Sequence, residues 1–156
     1  MNIELHALAA ANSLADENHL ALRLKFGLAC ANRVRHLLEE PRAAELLDVL
    51  QAFVDGRSDD ASLARAADEA AQLANHHRGS ASIDGTQHSA VSATYAVANA
   101  LAGKALDAAE YAAYSTVYGY GVYAVNDSDS FAPEYRWQVA TLEALLALMQ
   151  KSSRTV

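Results

Sequence analysis

The amino-acid sequence predicts an all-α protein, a compact, alanine-rich bundle of about six helices and no sheet. Apolar residues recur along nearly the whole chain at the three- and four-residue spacing of one helix face. Of the 156 residues 35 are alanine, a side chain that favours helix and lets neighbouring helices approach closely. The length suits one domain, so we expect residues 1–156 to form a single all-helical unit.

The first three predicted helices are separated by proline and glycine. A helix over about Asp16 to Glu40 carries an apolar stripe that begins at Leu20. Pro41 suits the first turn of a second helix, which Gly56 ends. A third helix follows the polar segment GRSDD and ends in HHRGS.

The tyrosine-rich segment that follows the fourth helix fits two structures. The fourth helix spans about Thr86 to Ala102, and residues 108–125 then hold five of the seven tyrosines. Part of this segment, VYGYGVYAV, alternates like a strand, but a lone strand would have no partner in this chain. We therefore predict a fifth helix, with Asp107 as its N-cap.

The last predicted helix runs from about Pro133 to Gln150. It is apolar over most of its circumference, which predicts a central position in the bundle and a buried Trp137. The tail KSSRTV is expected to fray.

Charge and cysteine content narrow the range of partners. A net charge of −7 disfavours nucleic acid, whose phosphates need a basic surface, and suits a basic protein partner. The single Cys30 cannot form an internal disulfide, and no segment has the pattern of a secretion signal or a membrane span. We expect a cytoplasmic protein without a membrane partner, and the oligomeric state stays open.

The motifs of common enzyme classes are absent from the sequence, so we predict no enzyme activity, catalytic residue, metal or cofactor. The strongest alternative is a small metal-binding or enzymatic bundle that uses His77 and His88. His76 would lie at the same end, and three carboxylates could supply oxygen ligands: Asp84, Asp127 and Glu134. The ordinary explanation is that these histidines bond the carbonyls at helix C-termini.

The tyrosines divide into a packing set and an exposed set. Tyr111, Tyr114 and Tyr118 share one helix face, which predicts packing against a neighbouring helix. Tyr120 and Tyr123 point elsewhere, and we assign them to a surface. Acidic residues of two loops are expected at the same end of the bundle as the histidines. The predicted partner-binding set is Glu39, Glu40, Tyr120, Tyr123, Asp127, Asp129 and Glu134.

Two ends of the chain resemble a known family. Cys30 to Leu37 form a Cys-x-x-Arg-Val-x-His-Leu run, Gly56 closes a helix, and Glu134 to Gln138 form an acidic-x-x-Trp-Gln motif. These elements resemble the fifth immunity-protein family of bacterial polymorphic toxin systems. The resemblance implies an all-helical protein without catalysis that binds and neutralises a cognate toxin. The motif does not mark the toxin contacts, which we predict from expected exposure and charge.

Overall fold

The computed structural model describes residues 1–77 and 86–154. Within them the chain forms seven α-helices and four short 3₁₀ segments, with no strand, which confirms the all-α prediction. The helices are α1 (Ile3–Ala11), α2 (Leu20–Arg33), α3 (Pro41–Val54), α4 (Asp60–Asn75), α5 (Thr86–Leu101), α6 (Ala105–Tyr118) and α7 (Ala132–Arg154). The 3₁₀ segments are Glu17–His19, Arg35–Leu37, Val122–Asn126 and Ser128–Phe131.

Helices α2 to α7 run alternately up and down. Arg33 at the end of α2 pairs with Glu134 at the start of α7. Ser89 near the start of α5 bonds Ser115 near the end of α6. The last turns of α2, α4 and α6 therefore lie with the first turns of α3, α5 and α7, and we call this the upper end of the bundle. The start of α2 packs at the opposite, lower end, where Leu20 contacts the α5–α6 turn.

Helix α5 occupies the centre of the bundle, so the prediction of a central last helix is wrong. Ala93, Ala96, Val97 and Ala100 of α5 are fully buried, and they contribute to both of the larger apolar clusters. Small side chains permit this position: a Cβ on Gly27 of α2 would lie 3.1 Å from the Ala100 Cα. Alanine and glycine let the two backbones approach closely enough to exclude any larger side chain.

Helix α7 buries one face, which combines two leucines with two polar residues. Its buried residues are Glu134, Gln138, Leu142 and Leu146. Leu148 is 61% exposed, and Trp137 is partly buried and packs against one of the two larger apolar clusters. The prediction of a central helix failed because Glu134 and Gln138, four residues apart, occupy the buried face and form their hydrogen bonds inside the protein. The spacing of apolar residues cannot reveal such buried polar side chains.

Several predicted helix boundaries are also corrected. The long first helix ends at Arg33, where Val34 leaves helical geometry at φ −112° and ψ 11°. The N-cap residue of α6 is Lys104, three residues before the predicted N-cap Asp107, which lies in the first turn of the helix. The tail stays helical to Arg154. Part of the predicted HHRGS terminus, residues 78–80, lies outside the described residues.

Helix α1 was not predicted. Asn2 caps the helix by accepting a hydrogen bond from the Leu5 amide. Leu5 and Ala9 of α1 are buried against the rest of the bundle. Its nine residues hold too few large apolar side chains to show a clear stripe in the sequence. None of the helices in the described residues combines the length and apolar character needed to span a bilayer.

Candidate functional site

The most exposed aromatic side chains lie together at the upper end. Tyr120 is 56% exposed, Val122 52% and Tyr123 76%, all within four residues that follow α6. We call residues 120–123 the tyrosine tip. Large apolar side chains that remain in water without covering one another are typical of surfaces that bind a protein.

Gly121 sets the shape of the tyrosine tip. Its φ of +127° lies in a region of backbone conformation that residues with a side chain rarely adopt. A Cβ at this position would also come within 2.7 Å of Cε1 of Tyr123. The Tyr123 ring therefore lies close to the glycine backbone, and this position leaves no room for a side chain at residue 121.

A small apolar cluster anchors the tip from below. Ala124 follows the tip and is buried with Val117 and Phe131. The rings of Tyr114 and Tyr135 lie against Phe131, with centroids 5.2 and 5.5 Å away. Burial, and then the nearby charge of Glu110, raise the pKa of Tyr135 to about 12, so its phenol stays neutral. The exposed side chains thus stand on a packed base.

The three tyrosines predicted to pack do contact other rings. Tyr111 stacks on Tyr95 of α5 at 5.0 Å, Tyr114 meets Phe131 edge-on, and Tyr118 lies 5.1 Å from the His88 ring. Tyr111 keeps 37% of its surface exposed, so its packing is one-sided.

Two acidic side chains follow the tip. Asp127 and Asp129 are both exposed. The Asp127 carboxylate accepts a hydrogen bond from the Asp129 amide at 3.1 Å and caps the 3₁₀ segment Ser128–Phe131. Asp127 therefore caps this segment in addition to carrying a negative charge. An asparagine at this position would keep the cap hydrogen bond and remove the charge.

Glu39 and Glu40 lie in a separate groove at the upper end. The groove has a volume of about 490 Å³ and runs between the start of α3 and the end of α4. Its walls include the two glutamates with Glu69, Gln72, Leu73, His76 and His77. The structure thus brings the predicted glutamates together with two of the predicted histidines.

Glu134 does not lie on the surface as its assignment to the partner-binding set required. Its side chain is 8% exposed and accepts two hydrogen bonds from Arg33, at 2.6 Å from Nε and 3.2 Å from Nη2. The Arg33 guanidinium also lies 4.3 Å from the Trp137 ring centroid. These three residues come from the two segments that carry the family resemblance, and they hold α2 against α7.

A buried amide network lies next to this ion pair. Gln138 donates to the Ala109 carbonyl at 2.8 Å and accepts from Asn2 at 3.1 Å. Asn2 also donates to the carbonyl of Tyr135. The network joins α1, α6 and α7, so the conspicuous polar residues at the start of α7 stabilise the fold.

The histidines have different surroundings. His76 Nδ1 lies 2.8 Å from the Gln72 carbonyl, as expected for a histidine at a helix C-terminus, and His88 packs on Tyr118. Among residues 1–77 and 86–154, no three His, Cys, Asp or Glu side chains are grouped to hold a metal. Asp84, the third possible oxygen ligand, lies outside the described residues. Metal analysis of the purified protein tests the alternative directly.

Sequence reasoning missed Val122 and the α4 side of the acidic groove. Val122 follows Gly121 in an alternating segment that also fits a strand, and this alternation was the available signal for its exposure. Glu69 and Gln72 reach the groove only because α4 packs antiparallel to α3.

Comparisons with protein-family models, with curated proteins and with solved structures found no match to this chain.

Proposed function

We propose that this protein is an immunity protein, which binds a cognate toxin of a bacterial polymorphic toxin system and neutralises it without catalysis of its own. The observation that carries the proposal is the tyrosine tip. It presents three large exposed side chains on a packed base beside two exposed aspartates. The resemblance in the sequence supplies the class of partner.

The tip has the properties of a binding hot spot. Tyrosine is enriched among the few residues that dominate interface energies, because its ring is large and has few rotamers to lose. The buried base holds the backbone on both sides of the tip, through Val117 before it and Ala124 after it. A backbone that is already ordered loses less conformational entropy on binding, which strengthens the complex.

The acidic groups favour a partner with a basic face. Asp127 and Asp129 lie next to the tip, and Glu39 and Glu40 lie at the same end of a chain whose net charge is −7. Opposite charges at the rim of an interface mainly raise the association rate, whereas a central aromatic residue governs dissociation. Glu134 is left out of this surface because its carboxylate is engaged by Arg33.

The test measures binding kinetics against the toxin domain encoded by an adjoining gene. The double variant Asp127→Asn/Asp129→Asn keeps the 3₁₀ cap and removes two charges. We expect its association rate to fall about threefold to tenfold at low salt, with a flatter salt dependence. Tyr123→Ala should raise the dissociation rate about 30-fold, the equivalent of about 2 kcal/mol.

The matched control is Asp60→Asn/Asp68→Asn, which removes two exposed charges from α4, away from the tip. It should leave the association rate unchanged within about twofold. If the Asp127/Asp129 variant binds at the wild-type rate in low salt, and the control is slowed instead, the contact region lies toward the lower end. Asp55, Asp59 and Asp60 would then be the better candidates.

A further inference from the structure

A cleft at the lower end of the bundle lies apart from the tyrosine tip. It has a volume of about 480 Å³ and is formed by α1, the turn after it and the start of α6. Much of its wall is apolar and shallow, with Ala9, Ala10, Ala15 and Ala105 among the lining residues. Because an alanine side chain ends at Cβ, these positions leave space at the surface between the elements that form the cleft.

Two cationic side chains line the cleft. Arg23 donates from Nη1 to the carbonyls of Leu14 and Asp16, both at 2.7 Å, which holds its guanidinium in the wall. Lys104 is exposed and is the N-cap residue of α6, where no side chain caps the first amides. The positive end of the α6 dipole therefore points toward the same region as the Lys104 ammonium.

The charge balance of the cleft is opposite to that of the whole protein. Arg23 and Lys104 face one carboxylate, Asp107, whereas the chain carries a net charge of −7. His6 also lines the cleft. An apolar pocket with a few convergent polar groups, at a volume between about 300 and 1,000 Å³, is typical of small-molecule sites.

We propose that this cleft binds an apolar carboxylate, a molecule with an alkyl or aryl body and one anionic end. The apolar body lies along the alanine wall, and the carboxylate lies at Lys104 and the start of α6. Charge complementarity selects the anion over a neutral or cationic molecule of the same shape. The site is independent of the proposed toxin contact, since it uses the opposite end of the bundle.

The experiment measures decanoate binding to the full chain by titration calorimetry, below the concentration at which decanoate forms micelles. Decanol serves as the neutral probe with the same chain length. We expect decanoate to bind with a Kd tighter than about 1 mM and decanol to bind at least about fivefold more weakly. No binding of decanoate, or equal binding of both molecules, overturns the proposal.

Charge variants locate the site. Lys104→Glu should weaken decanoate binding by about fivefold or more, while Asp107→Asn should strengthen it about twofold. A glutamate near a helix N-terminus favours the dipole, so Lys104→Glu is expected to fold normally. The control Lys25→Glu reverses another exposed lysine, on α2 outside the cleft, and should change the Kd by less than about twofold.

A steric variant tests the apolar part. Ala10 is exposed on α1 and lines the cleft, so Ala10→Phe fills the space without disturbing the buried side of the helix. Decanoate binding should be lost in this variant while the urea midpoint stays close to that of the wild type. If Ala10→Phe and Lys104→Glu bind decanoate as the wild type does, the ligand occupies another surface and the proposal is wrong.

Discussion

Replacing Glu134 by glutamine separates a stabilising role from a partner contact. The carboxylate is buried and accepts two hydrogen bonds from Arg33, which joins the end of α2 to the start of α7. Glutamine has the same shape but no charge, and its amide group presents N–H donors to the donors of a guanidinium. We expect Glu134→Gln to destabilise the fold and to leave the tyrosine tip intact.

The magnitude follows from the exposure of the two partners. Removing one member of a fully buried ion pair costs about 3–5 kcal/mol, and a hydrogen bond to a charged group contributes about 1.5–3 kcal/mol. The Arg33 side chain is 34% exposed, so water can solvate part of the charge that the substitution leaves behind. We therefore expect a loss of about 2–3 kcal/mol, equivalent to a Tm lower by about 4–12 °C at this chain length.

Urea unfolding followed by circular dichroism measures this loss, with Glu143→Gln as the control. Glu143 is exposed on the same helix, and its substitution should stay within about 0.5 kcal/mol of the wild type. A double-mutant cycle with Arg33→Met should give a coupling of about 1–2 kcal/mol. If Glu134→Gln unfolds at the wild-type midpoint but loses toxin binding, the residue is a contact and the structural role assigned here is wrong.

Three further predictions concern the packing. Gly27→Leu should lower the free energy of unfolding in urea by at least about 2 kcal/mol, because a Cβ at this position already lies 3.1 Å from the α5 backbone. The control Ala21→Leu changes an exposed residue of the same helix and should stay within about 0.5 kcal/mol of the wild type. Equal midpoints for the two variants would disprove the close crossing of α2 and α5. Cys30 is fully buried, and burial raises the pKa of its thiol. Ellman's reagent should therefore react with it only as fast as the protein opens. Rapid reaction in native buffer would contradict this placement. Trp137→Ala should lower the free energy of unfolding by about 2 kcal/mol. This is less than the roughly 3–5 kcal/mol expected for a fully buried tryptophan, because the ring is only partly buried and lies against the Arg33 guanidinium. An unchanged unfolding midpoint would refute the contact.

The exposure expected of the predicted partner-binding residues is confirmed for all of them except Glu134. Tyr120, Tyr123, Asp127 and Asp129 are exposed as expected. Glu134 is not, because a partner 101 positions earlier in the chain neutralises its charge. The polarity of a glutamate predicts exposure, but it does not reveal whether a cation distant in the sequence will come within hydrogen-bond distance.

The helical class and several helix termini could be predicted from the sequence, because they depend on neighbours only a few residues apart. Pro41 at the start of α3 and Gly56 after its end act through their own backbone and the adjacent turn. The central position of α5, the burial of Glu134 and the alanine-lined cleft at the lower end became visible only in the packed bundle. Those outcomes depend on which surfaces meet across the bundle, and small side chains of similar shape allow many pairings that local periodicity cannot distinguish.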